Sequence, residues 1–326
     1  MIVASRLAGA LVGAAALLCA GAAAHAADPY PDRPIRVIVP TPPGGGADTL
    51  GRLTAQAVEP ILKTRVIIEN KPGAGGTIGT GLITRAPPDG YTVGFIFNGV
   101  LTTLPNTMKD VTYTQDSYVP IIEIGYGSYI MCVAPDFPAN NAKEFLEQLK
   151  RNPDKYTYGT DGVGNTMQLA AERIFERFGI KQISVPFGGA GETAKNFLGH
   201  QIDIYGGSVQ PMLPYIKAGT AKCLLLTSGA DNPQVPQASG LDAVGAKGLD
   251  SGLWWGLIGP KGLPPAIVDT LYRAYREAAR TPSVMTALQN AGAAPVIRGP
   301  QEMRELITGE YAAFHQVAQH LGLAVQ

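Results

Sequence analysis

Charge is scarce in this sequence. Only 16% of its 326 residues are charged, and Lys+Arg 26 balance Asp+Glu 26 for a formal net charge of zero. Soluble proteins carry about 25% charged residues. A nucleic-acid binder would show a basic surplus or stripe, and neither is present. Histidine (4) and cysteine (3) are also few. A hydrolase built on Ser or Cys needs a histidine base beside its nucleophile, and no G-x-S-x-G elbow occurs here. No G-x-x-x-x-G-K-[ST] loop is present, and Pro72–Gly76 offers no G-x-G-x-x-G, which disfavours nucleotide binding. His315 and His320 lie five apart, off the one-face spacing of a zinc helix, and His200 follows a glycine at a helix end. No metal, cofactor or enzymatic activity is expected.

Hydrophobic residues, in contrast, make up 45% of the chain, which excludes disorder, and Gly (40) and Pro (26) are abundant without any collagen-like period. Residues 1–26 read as a secretory signal. Arg6 precedes an apolar run, and Ala24-His25-Ala26 gives a small-x-small site, so cleavage is expected after Ala26. The run is just long enough for a membrane anchor, but its Ala/Gly composition and the prolines that follow favour cleavage. Losing Arg6 and no acid takes the net charge to −1. Cys19 leaves with the signal; Cys132 and Cys223 remain in apolar, strand-like runs, where one bridge and two buried thiols are equally compatible with the spacing.

The remainder alternates short β-rich runs with helical patterns. Ile35–Pro40, Val66–Glu69 and Tyr91–Phe97 read as strands around helices at Ala47–Leu62 and Gly76–Arg85. A second series follows: strands at Tyr129–Pro135, Tyr156–Thr160, Ile183–Phe187 and Ile202–Tyr205, with helices at Asn141–Arg151, Asn165–Phe178 and Ala190–Leu198. Further strands are read at Lys222–Thr227 and Leu253–Ile258, and two amphipathic helices close the chain. Strands with little alternation, separated by helices, indicate an α/β fold of mainly parallel sheets. With no Ser/Gly linker, discontinuous domains are expected: 27–125 plus 228–326 as one, and 126–227 as the other.

Four glycine-rich junctions follow predicted strands: Thr41–Gly46, Pro72–Gly76, Asp161–Thr166 and Phe187–Gly191. In a parallel sheet such loops line the crevice at the strands' carboxyl ends. Backbone N–H groups and the positive helix ends make that crevice receptive to anions. Thr41, Asn98, Asn165, Thr166, Gln168 and Ser208 fall at or just after strand ends and offer neutral hydrogen-bonding groups, which suits binding without turnover. Helix capping accounts equally well for Asn165 and Thr166. Phe187, Trp254 and Trp255 are pocket walls or core; the adjacent tryptophans must face opposite ways. Asp161 and Glu192 sit near helix starts, where the dipole alone explains a carboxylate; either one in the crevice would repel an acid or pair an amine.

The run Tyr30-Pro-Asp-Arg-Pro-Ile-Arg-Val-Ile-Val-Pro-Thr-Pro-Pro-Gly-Gly45, together with Glu69-Asn-Lys-Pro-Gly-Ala-Gly-Gly76, Pro88-Asp-Gly-Tyr91, Val185-Pro-Phe-Gly-Gly189 and Leu213-Pro-Tyr-Ile-Lys-Ala-Gly219, resembles the receptors of tripartite tricarboxylate transporters, also known as Bug proteins. The resemblance implies a periplasmic solute-binding protein of the type II-like two-lobed fold, with a ligand cleft between lobes. It implies capture of a small organic carboxylate, held by backbone N–H groups, hydroxyls and water, and delivery to membrane transporter subunits. By matching position, Thr41, Gly44 and Gly45 serve one lobe; Gly164, Asn165, Thr166 and Gln168 serve the other, with Phe187, Gly207 and Ser208 at the far end. The chain departs from the family pattern at Asn165–Gln168, at Phe187-Gly188-Gly189 and near Gly206–Gly207, where polar side chains are lost. That favours a ligand with an apolar or aromatic body. A monomer is expected. The alternatives are a sensor that presents ligand to a membrane kinase and, from another class, a secreted hydrolase or isomerase.

Overall fold

Residues 30–325 are described by a computed structural model; the expected export signal lies outside them. In chain order, β1 (Ile35–Val39), α1 (Gly46–Leu62), β2 (Val66–Asn70), α2 (Thr77–Thr84) and β3 (Thr92–Phe97) form the first βαβαβ series. Two single-turn helices, α3 (Gly99–Thr102) and α4 (Leu104–Thr107), lead to the long strand β4 (Tyr118–Val133). The second series is α5 (Ala142–Arg151), β5 (Thr157–Thr160), α6 (Thr166–Phe178), β6 (Ile183–Pro186), α7 (Ala190–Leu198) and β7 (Ile204–Ser208). A short helix α8 (Leu213–Lys217), β8 (Lys222–Leu226), β9 (Gly252–Pro260), α9 (Pro265–Ala278), α10 (Pro282–Asn290), β10 (Ala293–Arg298) and α11 (Pro300–His320) complete the chain.

Eight strands run in the order β2-β1-β3-β9-β4-β7-β5-β6, with β8 and β10 also paired to β4. The β1–β3 and β5–β7 groups are parallel, as the unbroken apolar runs require. Antiparallel β9 and β4 join them. The Tyr118–Ser128 stretch of β4 pairs with β9, and its remaining residues pair with β7 and β8. A single strand therefore carries the chain from one half of the sheet to the other.

Only the end of β4 is readable in the sequence. Pro120, Gly125 and Gly127 look like strand breakers; in the structure the register against β9 shifts between Pro120 and Ile122 and between Glu123 and Gly125, so irregularities absorb them. β10 is hidden by Pro295, which a strand paired on one side to β4 tolerates. Elsewhere local chemistry sets the elements: Asn141 Oδ1 accepts from Glu144 N at 2.9 Å to cap α5. The closing helices bury the predicted faces, Leu271, Ala274 and Tyr275 on α9 and Met303, Ile307 and Phe314 on α11; Leu321, past the end of α11, stays exposed. Cys132 and Cys223, paired across β4 and β8, form a disulfide in the core, which the spacing leaves open.

Candidate functional site

The loop after β1 is held from below. Gly44 donates its N–H to Asp48 Oδ2 at 2.9 Å, and the other Asp48 oxygen accepts from Asn70 Nδ2 at 2.8 Å and Arg52 Nε at 2.9 Å. Asn70 also donates to the Thr41 carbonyl. Desolvation opposes ionisation of Asp48, but Arg52, the Gly44 N–H and Asn70 outweigh it and hold the carboxyl below its ordinary range. Thr41 Oγ1 is buried and has no hydrogen-bond partner. Gly45 and Gly46 lead into α1, and Gly46 lies against the Trp255 ring.

The loop after β5 is closed in the same way. Gly164 donates its N–H to Gln168 Oε1 at 2.7 Å, and Gln168 N donates to Asn165 Oδ1 at 3.0 Å, so Asn165 caps α6. Gln168 Nε2 reaches Ser184 Oγ at 3.3 Å. A third instance follows β6, where Gly188 donates to Glu192 Oε2 at 2.8 Å. In all three junctions an acceptor four residues on takes the glycine N–H. The sequence alone suggests that these N–H groups are open to a ligand; at Gly44, Gly164 and Gly188 the chain satisfies them itself. The Gly-x-x-x-Asp/Gln/Glu spacing is the signal from which this could have been found.

The loop after β5 packs against α3 and α4. Thr166 Oγ1 and Thr103 Oγ1 are 2.9 Å apart, and Thr107 donates to the Gly164 carbonyl at 2.9 Å. A Cβ on Gly99 would lie 3.1 Å from Thr166 Oγ1, so the close approach of α3 to α6 depends on glycine there. At the far end Phe187 N donates to the Thr160 carbonyl at 2.9 Å, and Tyr205 Oη donates to the Ser208 carbonyl at 2.8 Å. Gly207 lies against the same phenol: a Cβ there would come within 2.4 Å of Tyr205 Oη. Asp161 directly follows β5, 3.5 Å from Thr193 Oγ1; it is partly buried, and burial pushes its pKa up to about 7.

Asn98 is placed differently from the other candidates. It is fully buried, donates from Nδ2 to the Gly252 carbonyl at 2.7 Å, and leaves Oδ1 without a partner. This is where β9 starts beside the end of β3. The tryptophans do face opposite ways: Trp255 looks to Gly46, while Trp254 Nε1 donates to both oxygens of Glu310 at 3.1 Å. Glu310 is inconspicuous in the sequence because it interrupts the apolar face of α11; burial pushes its pKa to about 7. On this Trp254 side lies a cavity of about 720 Å³, lined by Tyr126, Ser128, Asp250, Arg298 and Glu310 among others. Of the expected ligand residues Ser208, Thr41, Thr166 and the rest, none lines it.

Of the described histidines, His315 Nδ1 is 3.0 Å from Asn106 Oδ1, His320 Nδ1 is 3.3 Å from Glu176 Oε1, and His200 takes a positive φ of 54° at the turn after α7. Among the described residues no group of three or more His, Cys, Asp or Glu is placed to hold a metal.

The model of the tripartite tricarboxylate transporter family receptor matches residues 50–323. The chain belongs to this receptor family. A UPF0065 protein of Bordetella pertussis is 32% identical to it, covering 95% of this chain and 96% of that protein. The crystal structure of a TctC solute binding protein from Polaromonas is similar with a TM-score of 0.81 at 30% identity, covering 89% of this chain and 99% of that one. MatC from Rhodopseudomonas palustris with bound malate aligns with a TM-score of 0.71 at 25% identity, over 88% of this chain and 99% of that one. The TctC-type receptors are periplasmic solute-binding proteins that serve transporter subunits, and they are not an enzyme class. The α/β fold read from the sequence is the fold of these periplasmic binding proteins.

Proposed function

We propose that this receptor captures a small organic carboxylate between the β1 and β5 loops and presents it, as a monomer, to its membrane transporter subunits. The observation that carries the reading is the Thr41 hydroxyl, buried at a strand's carboxyl end with its hydrogen-bonding capacity unused. Leaving such a group unpaired is costly, and a ligand oxygen would satisfy it. Thr166, at the first turn of α6, supplies a second hydroxyl where the helix end favours negative charge. Gly44, Gly45 and Gly164 allow close backbone approach. Asn165 and Gln168 act by fixing the loop, Phe187, Gly207 and Ser208 form the distal wall, and Asn98 supports the floor. The malate held by MatC supports a carboxylate as ligand class.

The lobes in this reading are residues 27–125 plus 228–326 and residues 126–227, with export by the segment through Ala26. Support comes from β4 and from the link between β8 and β9, the two places where the chain passes between half-sheets. Hinge closure about these crossings would trap the ligand. Phe187 on the distal wall suits a ligand with an apolar or aromatic body. A thermal-shift screen of the purified protein against aliphatic and aromatic acids tests the proposal. A ligand at 100 times its Kd adds about 2.7 kcal/mol of stability, and Thr166→Ala should reduce that shift. No shift with any carboxylate would overturn the reading.

A further inference from the structure

Asp161 is a carboxylate at the carboxyl end of β5 for which the protein supplies almost nothing. Among the described residues, Thr193 Oγ1 is the one hydroxyl within hydrogen-bonding distance of it, at 3.5 Å. That hydroxyl has a single proton, and it lies nearer to the Gly189 carbonyl, at 3.0 Å, and to the Thr160 carbonyl, at 3.3 Å. Among the described residues no lysine, arginine or histidine forms an ion pair with Asp161. The titratable groups that feel its charge are the phenols of Tyr129 on β4 and Tyr205 on β7. Tyr205 binds the Ser208 carbonyl, so Asp161 belongs to the distal end of the proposed cleft. Gly162 follows it, 3.8 Å from the Phe187 carbonyl when measured from a Cβ position.

A partly buried carboxylate that loses hydration without gaining a cation or a dedicated donor is left uncompensated. The Asp48 carboxylate at the equivalent junction has three donors. We propose that Asp161 is the specificity-determining residue of the cleft, and that it selects a carboxylate carrying an amine at its other end. This rests on the carboxylate reading above. The ligand's acid meets Thr41 and Thr166, its apolar body passes Phe187, and its ammonium supplies the positive charge that Asp161 lacks. A ligand with a second carboxylate at that end would face like charge, and an unsubstituted end would leave Asp161 unpaired.

Matched series of straight-chain acids decide the matter: ω-amino acids with three to six carbons, the diacids of equal length and the simple monoacids, each titrated by calorimetry at pH 7.5. At the length that spans the cleft, the ω-amino acid should bind roughly tenfold to a hundredfold tighter than its diacid, the range of a charged hydrogen bond. Asp161→Asn should erase that preference, weakening the ω-amino acid and relieving the penalty on the diacid and the monoacid, and Asp161→Ser provides a second variant should the first fold poorly. Diacids binding as tightly as ω-amino acids at every length, or a preference that survives both variants, would overturn this assignment and leave the carboxylate reading standing. Failure of all three series to bind would overturn this assignment, and the carboxylate reading falls with it only if the aromatic acids of the thermal-shift screen give no shift either.

Discussion

Asp48 and Asp161 stand at glycine-rich strand-to-helix junctions in opposite halves of the sheet, yet their environments push them in opposite directions. Asp48 is buried and surrounded by donors from Gly44, Asn70 and Arg52, and its pKa falls. Asp161 is desolvated with only a distant, shared hydroxyl, and its pKa rises to about 7. At the β1 loop the carboxylate is a structural part that satisfies the backbone. At the β5 loop that part is played by neutral side chains, Gln168 and Asn165. The carboxylate is left over, and that surplus marks where a ligand is expected.

The largest effect should come from Asp48→Ala. It strips acceptors from a glycine N–H, an amide and a guanidinium, and should cost about 2–3 kcal/mol in urea unfolding at pH 7. A loss within error of zero would remove the contrast. Because the folded-state pKa of Asp48 is depressed, its contribution is present above the ordinary carboxylate range and disappears as the pH falls through it. Asp161 has the opposite sign. Its folded pKa is raised, so the wild-type protein loses stability as the pH rises from the ordinary aspartate range to about 7. Without ligand, Asp161→Asn should therefore be the more stable protein at pH 8, by an amount on the order of 2 kcal/mol that vanishes near pH 4. An equal difference at both pH values would show that Asp161 does not titrate as described.

Smaller effects sharpen the two loops separately. Asn165→Ala removes the α6 cap and should cost about 1 kcal/mol, read as a lower thermal midpoint. Thr41→Val replaces an unpartnered hydroxyl with a methyl group. It should leave unliganded stability within about 1 kcal/mol of wild type while weakening carboxylate binding about fivefold, the worth of one hydrogen bond. Lost stability with unchanged binding would assign Thr41 to the scaffold.

Where an element is governed by its own residues, the sequence is readable. α7 spans Ala190–Leu198 as expected, and Asn141 and Asn165 cap their helices through side chains three residues from their targets. β4 and β10 are not readable in the same way, because their prolines and glycines are tolerated only through pairing with distant strands. The candidate site divides similarly. Its loops are legible in glycine and proline spacing, but that spacing leaves Gly44, Gly164 and Gly188 open when acceptors four residues away close them. The sequence makes Asp161 a helix-start carboxylate; its isolation becomes visible only once α7, β4 and β7 are packed around it.

The sequence by itself determined the alternation of strands and helices, the glycine-rich junctions, the capping residues and the receptor family, since each depends on residues close together or on ordered motifs. Only the tertiary structure decided that Cys132 and Cys223 are bonded, that Trp254 is tied to Glu310 while Trp255 turns to Gly46, and that one aspartate is saturated with donors while the other is not. Burial and hydrogen-bond saturation are properties of groups brought together from far apart in the chain. The same kind of side chain, inside the first helical turn at one junction and directly after the strand at the other, therefore became a structural brace in one loop and a candidate ligand contact in the other.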